Sequence, residues 1–217
     1  MIKMFVYLTP SHKEMFEKYF YPSFKKFIEP RGVTFEMEYG DQVCSSATYN
    51  GDGSHKLWEE RLWEYYWQIC VDTRINDIIM FVDADVIFLN DNIIDSTIKG
   101  LNSNDAMFAR DKHFSISAGF QAYRISNVTK TFLEVARKIL SYSKNDQVVL
   151  NKLKRRIDYK RYDWKDVYSI YHYNHKVWNG NSRIVIPSNI SCFHANWTMG
   201  VENKMKFLSV IKNYLDI

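Results

Sequence analysis

A chain of 217 residues is long enough to bury one substantial core and short for two. Apolar residues make up 46% and charged residues 25%, the balance of an ordinary soluble fold, and no apolar run nears the ~20 residues a membrane-spanning helix needs. The net charge of +4 suits a small anionic ligand, whereas basic residues scattered among acids exclude a nucleic-acid footprint. Cys44, Cys70 and Cys192 are odd in number and show no C-x-x-C spacing, which favours a reducing, cytoplasmic setting over a disulfide framework.

In chain order, Met1–Leu8 reads as a first strand and not as a leader. Thr9-Pro10 then has the cap-and-proline form of a helix start. Met15, Phe16, Tyr19, Phe20, Phe24 and Phe27 follow at helical spacing, with Pro22 expected to kink or interrupt the helix. Val33–Met37 alternates as a second strand. Tyr39–Ser54, small and polar with three glycines, reads as a mobile surface loop. Lys56–Val71 is helical, with Leu57, Trp58, Leu62, Tyr65, Tyr66 and Ile69 inward, and leads to a strand over Ile78–Leu89. This β-α-β-α-β order predicts an α/β fold with a mainly parallel central sheet and helices on both faces. Asp105–Ala109 and Ser117–Tyr123 read as strands, Val128–Leu140 as a helix capped by Ser126 or Asn127, and Asn145-Asp146-Gln147 as the start of another. Tyr159–Trp178 resists assignment. Arg183–Ile186 reads as a late strand and Val201–Leu215 as a final helix. No repeat or linker divides the chain, so residues 1–217 read as a single domain.

The chemistry concentrates at Asp83-Ala84-Asp85. Five apolar residues lead into the two acids and four follow, as in a strand buried on both faces. Asp is rarely buried without a partner, and two carboxylates this close repel, so a positive charge must sit beside them. In an extended segment residues i and i+2 point to one side, so both can meet one ion. Hard oxygen ligands at the carboxyl end of a strand suit Mg²⁺ or Mn²⁺ bound with a diphosphate. The competing reading is a pair of turn residues that merely end a strand.

With Ala118-Gly119-Phe120, Asn145-Asp146-Gln147 and the late His194-Ala195-Asn196-Trp197 with Gly200 and Lys204, this strand resembles the DXD glycosyltransferases of GT-A (Rossmann-like) fold. Within that fold it looks like the retaining nucleotide-diphospho-sugar transferases, some of which are compact domains in large DNA viruses of algae. The resemblance implies Asp85 and His194 as metal ligands and Asp83 on the ion or on the donor's ribose, with imidazole favouring Mn²⁺ over Mg²⁺. It implies that Ala84, Gly119, Gly200 and Lys204 face the donor, Lys204 as a charge on the diphosphate. Tyr7, Leu8 and Thr9 fall where the family holds the base, and Lys56 matches a basic position toward base or phosphate. Tyr7 as core and Lys56 as solvated surface are equally open readings. Asp146 and Gln147 match the catalytic Asp-Gln step, although Asn-Asp before an apolar helix is also an ordinary cap. The implied donor is a UDP-sugar, or a GDP-sugar, and the acceptor a glycan or glycoprotein.

Two rivals remain. Asp83-Ala84-Asp85-Val86 also fits the nucleophile motif of haloacid-dehalogenase-type aspartyl-phosphatases, but it lies deep in the chain and no acidic cluster follows. A non-catalytic sugar-nucleotide-binding module would keep the fold without turnover. The basic run Lys152-Leu153-Lys154-Arg155-Arg156 reads as a solvated helix face.

Overall fold

In the computed structural model, which describes residues 1–41, 54–71, 74–143, 145–174, 177–179 and 185–214, β1 (Ile2–Leu8) lies between β2 (Thr34–Tyr39) and β3 (Ile78–Val82), parallel to both. The helical stretch α1 (10–31) crosses from β1 to β2, and α2 (Ser54–Val71) leads into β3. Pro22 does not break α1; the turns on either side of it, Phe16–Phe20 and Phe24–Ile28, widen to π geometry instead.

Past β3 the sheet changes character. β6 (Ile116–Arg124) pairs antiparallel with β3, β5 (Ala106–Arg110) antiparallel with β6, and β7 (Tyr159–Arg161) parallel with β5. The order is β2-β1-β3-β6-β5-β7. The expected parallel sheet is therefore parallel in its first half and mixed in its second. Residues 111–115 join β5 to β6, a link too short to cross back to a parallel neighbour.

Side chains alternate across β1, so Met4, Val6 and Leu8 meet the Phe16, Phe20 and Phe24 stripe of α1. Phe5 meets Leu62, Tyr65 and Ile69 of α2, backed by Leu133 and Ala136 of α4 (Asn127–Leu140). Both faces are covered, as an α/β sheet requires. α3 (Asn92–Leu101) and α5 (Asp146–Leu153) complete these layers.

The apolar run Ile78–Leu89 is not one strand. The chain turns at Asp83–Asp85, and β4 (Val86–Phe88) leaves for a second sheet of order β4-β9-β8, with β9 (Cys192–His194) and β8 (Val167–Ser169). The Asp83 N–H still donates to Gly119 O of the large sheet at 2.9 Å, while Asp85 O accepts from Ala195 N–H of the small one at 2.9 Å. Ile87, Tyr168 and Phe193 of the small sheet pack on Phe207, Leu208 and Ile211 of the last helix, α6 (Val201–Tyr214).

The unassigned stretch holds β7, β8 and a short helix, Tyr171–Asn174, each too brief for a period to register. Of the expected strand over Arg183–Ile186, residues 185 and 186 lie in no strand and 183–184 lie outside the described residues. The expected loop at Tyr39–Ser54 lies mostly outside them as well, since residues 42–53 are not described. Among the described residues no helix is long and apolar enough to cross a membrane.

Candidate active site

The site lies where the two sheets part. Asp83 follows β3, Asp85 precedes β4, and His194 ends β9, hydrogen-bonded in register opposite Val86. One ligand atom from each of these three side chains falls within 4.8 Å of the others. The turn, not an extended segment, brings the carboxylates together. His194 Nε2 lies 3.1 Å from Asp85 Oδ1 and 3.7 Å from Asp83 Oδ2. Asp85 is 2% exposed; its Oδ1 accepts no well-aligned hydrogen bond and has His194 Nε2 as its ion-pair neighbour, which leaves lone-pair capacity for a ligand.

Three cations answer the repulsion between the acids. Lys204, one turn into α6, places Nζ 2.6 Å from Asp85 Oδ2. Gly200, at φ +78°, makes the turn that starts that helix. Arg61, from the middle of α2, donates to Asp83 Oδ1 at 2.8 Å and reaches Asp146 Oδ2 with its other amino group. His194 is the third. Burial alone would keep its imidazole neutral, but the Asp85 and Asp83 carboxylates outweigh it and raise the pKa to about 9. Burial likewise works against a charged Asp85, yet Lys204 and His194 hold it well below the usual carboxylate range. Asp83 is lowered too, burial being opposed by Arg61 and His194.

Gly119 on β6 is the floor of this notch. A Cβ there would sit 2.4 Å from Asp83 Oδ2 and 2.4 Å from His194 Cε1, so any side chain would push the ligand groups apart. Two carboxylates and one imidazole, with the buried Asp85 Oδ1 short of a well-aligned hydrogen bond, fit a divalent ion of the Mn²⁺ or Mg²⁺ kind.

Beside the notch, Asn145 caps α5 by accepting from Val148 N–H at 2.8 Å, which leaves the Asp146 carboxylate free to pair with Arg61. Gln147 donates Nε2 to Asp111 Oδ2 at 2.7 Å, and its Oε1 accepts from Ala118 N–H at 3.4 Å. Asp111 also accepts from Trp197 Nε1 at 2.7 Å. Trp197 has φ +62°, a conformation a bulky residue holds only when its surroundings impose it. Tyr171 packs on its ring at 4.9 Å, and Lys112 lies 4.4 Å from the ring centre.

Scans against protein-family models and against curated proteins found no match. Solved structures do match. A glycosyltransferase involved in the glycosylation of the major capsid of PBCV-1 superposes with a TM-score of 0.66 at 12% identity, over 96% of this chain and 98% of that one. The glycosyltransferase GlyE of Streptococcus pneumoniae TIGR4 gives 0.59 at 13%, over 98% of this chain and 62% of that one. The galactosyltransferase LgtC, in complex with donor and acceptor sugar analogs, gives 0.53 at 12%, over 97% and 96%. This chain has the GT-A glycosyltransferase fold.

Within the GT-A fold, the residues named from sequence fall into two groups. Asp83, Ala84, Asp85, Gly119, His194 and Lys204 converge on the notch, with Gly200 shaping the approach of Lys204. Asp146 reaches it through Arg61, and Gln147 stands beside it on Asp111. Tyr7 and Lys56 meet instead at Glu60: the Tyr7 hydroxyl donates to it at 3.0 Å, and the Lys56 ammonium lies 3.6 Å away, largely exposed. Neither touches the metal-ligand group. Leu8 is core, and the Thr9 hydroxyl lies 3.1 Å from His12 Nδ1.

Arg61, His12 and Asp111 are absent from the sequence-based set. His12, close enough to feel Lys204 and Asp85, is held neutral by burial and by Lys204, its pKa lowered to about 4. Arg61 had a signal. It lies four residues before the inward Tyr65 and three after the inward Trp58, so helical period turns it toward the core. An inward arginine on the helix before two close acids is the counter-charge that the acids demand.

Proposed function

We propose that this protein is a divalent-metal-dependent glycosyltransferase that moves a sugar from a nucleotide-diphosphate donor, a UDP-sugar before a GDP-sugar, to a glycan or glycoprotein acceptor with retention of configuration. The observation that carries this reading is the convergence of Asp83, Asp85 and His194, with the buried Asp85 Oδ1 short of a well-aligned hydrogen bond, on a GT-A fold. Bound there, Mn²⁺ or Mg²⁺ supplies Lewis-acid neutralisation of charge on a departing diphosphate.

The chain's own groups take the remaining roles. Lys204, at the edge of the same notch, offers an ammonium to a diphosphate oxygen as negative charge grows there. The sugar gains positive character as its bond to phosphate breaks, and an amide or carboxylate oxygen nearby stabilises it. We assign this role to Gln147, and the support is that Asp111 fixes its amide by taking Nε2. Asp146 takes Arg61 on one oxygen and the Gln147 N–H on the other, and so keeps that guanidinium beside Asp83. Arg61 in turn orients Asp83.

The test is a thermal-shift panel of UDP- and GDP-sugars with Mn²⁺, followed by an assay of donor hydrolysis. A donor at 100 times its Kd stabilises by about 2.7 kcal/mol, a readily visible shift. Slow Mn²⁺-dependent release of the nucleoside diphosphate is the expected accompaniment. Stabilisation with no release points to a binding module, and no response to either nucleotide with Mn²⁺ overturns the reading.

A further inference from the structure

The loop 111–115 begins at the Asp111 that holds Gln147 and Trp197, and it is pinned by cations. Lys154 Nζ donates to Phe114 O at 2.5 Å and to Asn151 Oδ1 at 3.1 Å, and Arg161 donates to His113 O at 2.8 Å. Arg161 also lies 5.8 Å from the ring of Phe114, which is 81% exposed. Arg155 is exposed next to Lys154, and Lys112 lies over Trp197.

Carbonyl and amide oxygens satisfy hydrogen-bond geometry but neutralise no charge. Among the described residues none of Lys112, Lys154, Arg155 and Arg161 forms an ion pair. The acids that follow β7 are used elsewhere: Asp163 accepts from Lys165 N–H, and Asp166 accepts from the Ser96 hydroxyl and from Asp163 N–H. The cations feel one another, since burial and then Arg161 and Arg155 lower the pKa of Lys154. The loop's one acid, Asp111, is held by the neutral Gln147 and Trp197 and offsets a single charge, so four gathered cations still repel and an added anion relieves them.

Position gives the anion its meaning. The carboxyl ends of β3 and β5 open on the same rim of the sheet, two strand spacings or roughly 10 Å apart. The notch lies at the first and the cationic loop at the second, with Gln147 between them. We infer that the acceptor carries an anionic group, a carboxylate or a phosphate, which the cluster of Lys112, Lys154, Arg155 and Arg161 holds while Phe114 packs on a neighbouring sugar ring. The word acceptor rests on the glycosyl-transfer reading; the anion site itself does not.

Two pairs of probes test this by calorimetry at low salt: trigalacturonate against its methyl ester, and maltotriose phosphate monoester against maltotriose. The charged member of at least one pair is expected to bind about ten-fold more tightly, with the preference fading as salt rises. The pair that responds tells carboxylate from phosphate. Lys154→Gln removes the preference. Arg155→Glu removes it too and has no hydrogen bond to lose, so it keeps the test sound if the first variant disturbs the loop. Equal binding within both pairs, or a preference that survives Arg155→Glu, overturns the inference. UDP with Mn²⁺ is titrated separately. Failure there with the charge preference intact ends the glycosyl-transfer reading and leaves an anion site.

Discussion

Asp85 is the residue on which most charge converges. Lys204 lies 2.6 Å from one of its oxygens and His194 3.1 Å from the other, so its charge is already balanced. Asp85→Asn therefore does two things. It removes a proposed metal ligand, and Mn²⁺-dependent UDP affinity is expected to fall below detection by calorimetry. It also leaves two buried cations with one fewer partner, and breaking such a pair costs ~3–5 kcal/mol in urea unfolding of the metal-free protein. A variant that kept full Mn²⁺-dependent affinity would remove the central assignment. His194 gives a pH signature. Its folded pKa, about 9, lies above the ordinary 6.5, so in the metal-free protein its stabilising contribution is complete below pH 6.5 and is lost as pH rises through 9. A metal ligand must be neutral imidazole, so Mn²⁺ uptake at pH 7 is expected to release about one proton and to tighten as pH rises toward 9. Calorimetry in two buffers of different ionisation enthalpy reads the proton count directly; zero release refutes the ligand role.

At the scale of elements, the site is a junction of pieces that share little sequence proximity. Arg61 of α2 ties the turn after β3 to the start of α5, through Asp83 and through an Asp146 that is 2% exposed. Arg61→Ala strands that buried carboxylate, and a loss of ~3–5 kcal/mol in urea unfolding is expected. Arg61→Lys keeps the charge but not the two-pronged geometry, so it is expected to recover part of the stability and little of the donor hydrolysis. Equal hydrolysis in Arg61→Lys and the wild type would show that bridging is unimportant.

For the whole molecule, the large and small sheets share the Asp83–Asp85 turn and one apolar cluster, in which Val86, Phe88, Val167 and Cys192 pack with Met4, Val6, Leu8 and Met80, while each sheet buries its other face in a cluster of its own. We take residues 1–217 as one domain on the ground that the sheets share this core and that Asp83, Asp85 and His194 come together from both. The expected outcome is a single unfolding transition, coincident by far-ultraviolet circular dichroism and by tryptophan fluorescence. The fluorophores suit the test: Trp58 borders the large-sheet core, while Trp164, Trp178 and Trp197 belong to the small-sheet cluster. Separate midpoints would divide the chain in two.

Period and capping alone determined much of this protein. Apolar runs, the Phe16–Phe24 stripe and the Asn145 cap depend on neighbours within a few residues, so β1, α1, α5 and the β-α-β-α-β order were legible before any contact was known. So was the demand of Asp83 and Asp85 for a positive partner, because two close carboxylates repel wherever they lie. Only the tertiary structure decided which cations answer. Lys204 is 119 positions from Asp85 and Arg61 is 85 from Asp146. The structure also turned the run at Asp83 and sent β4 to a second sheet, because pairing with β9 more than a hundred residues away outweighs the strand's own continuity. Charge and period act locally, but convergence depends on where distant strands pair.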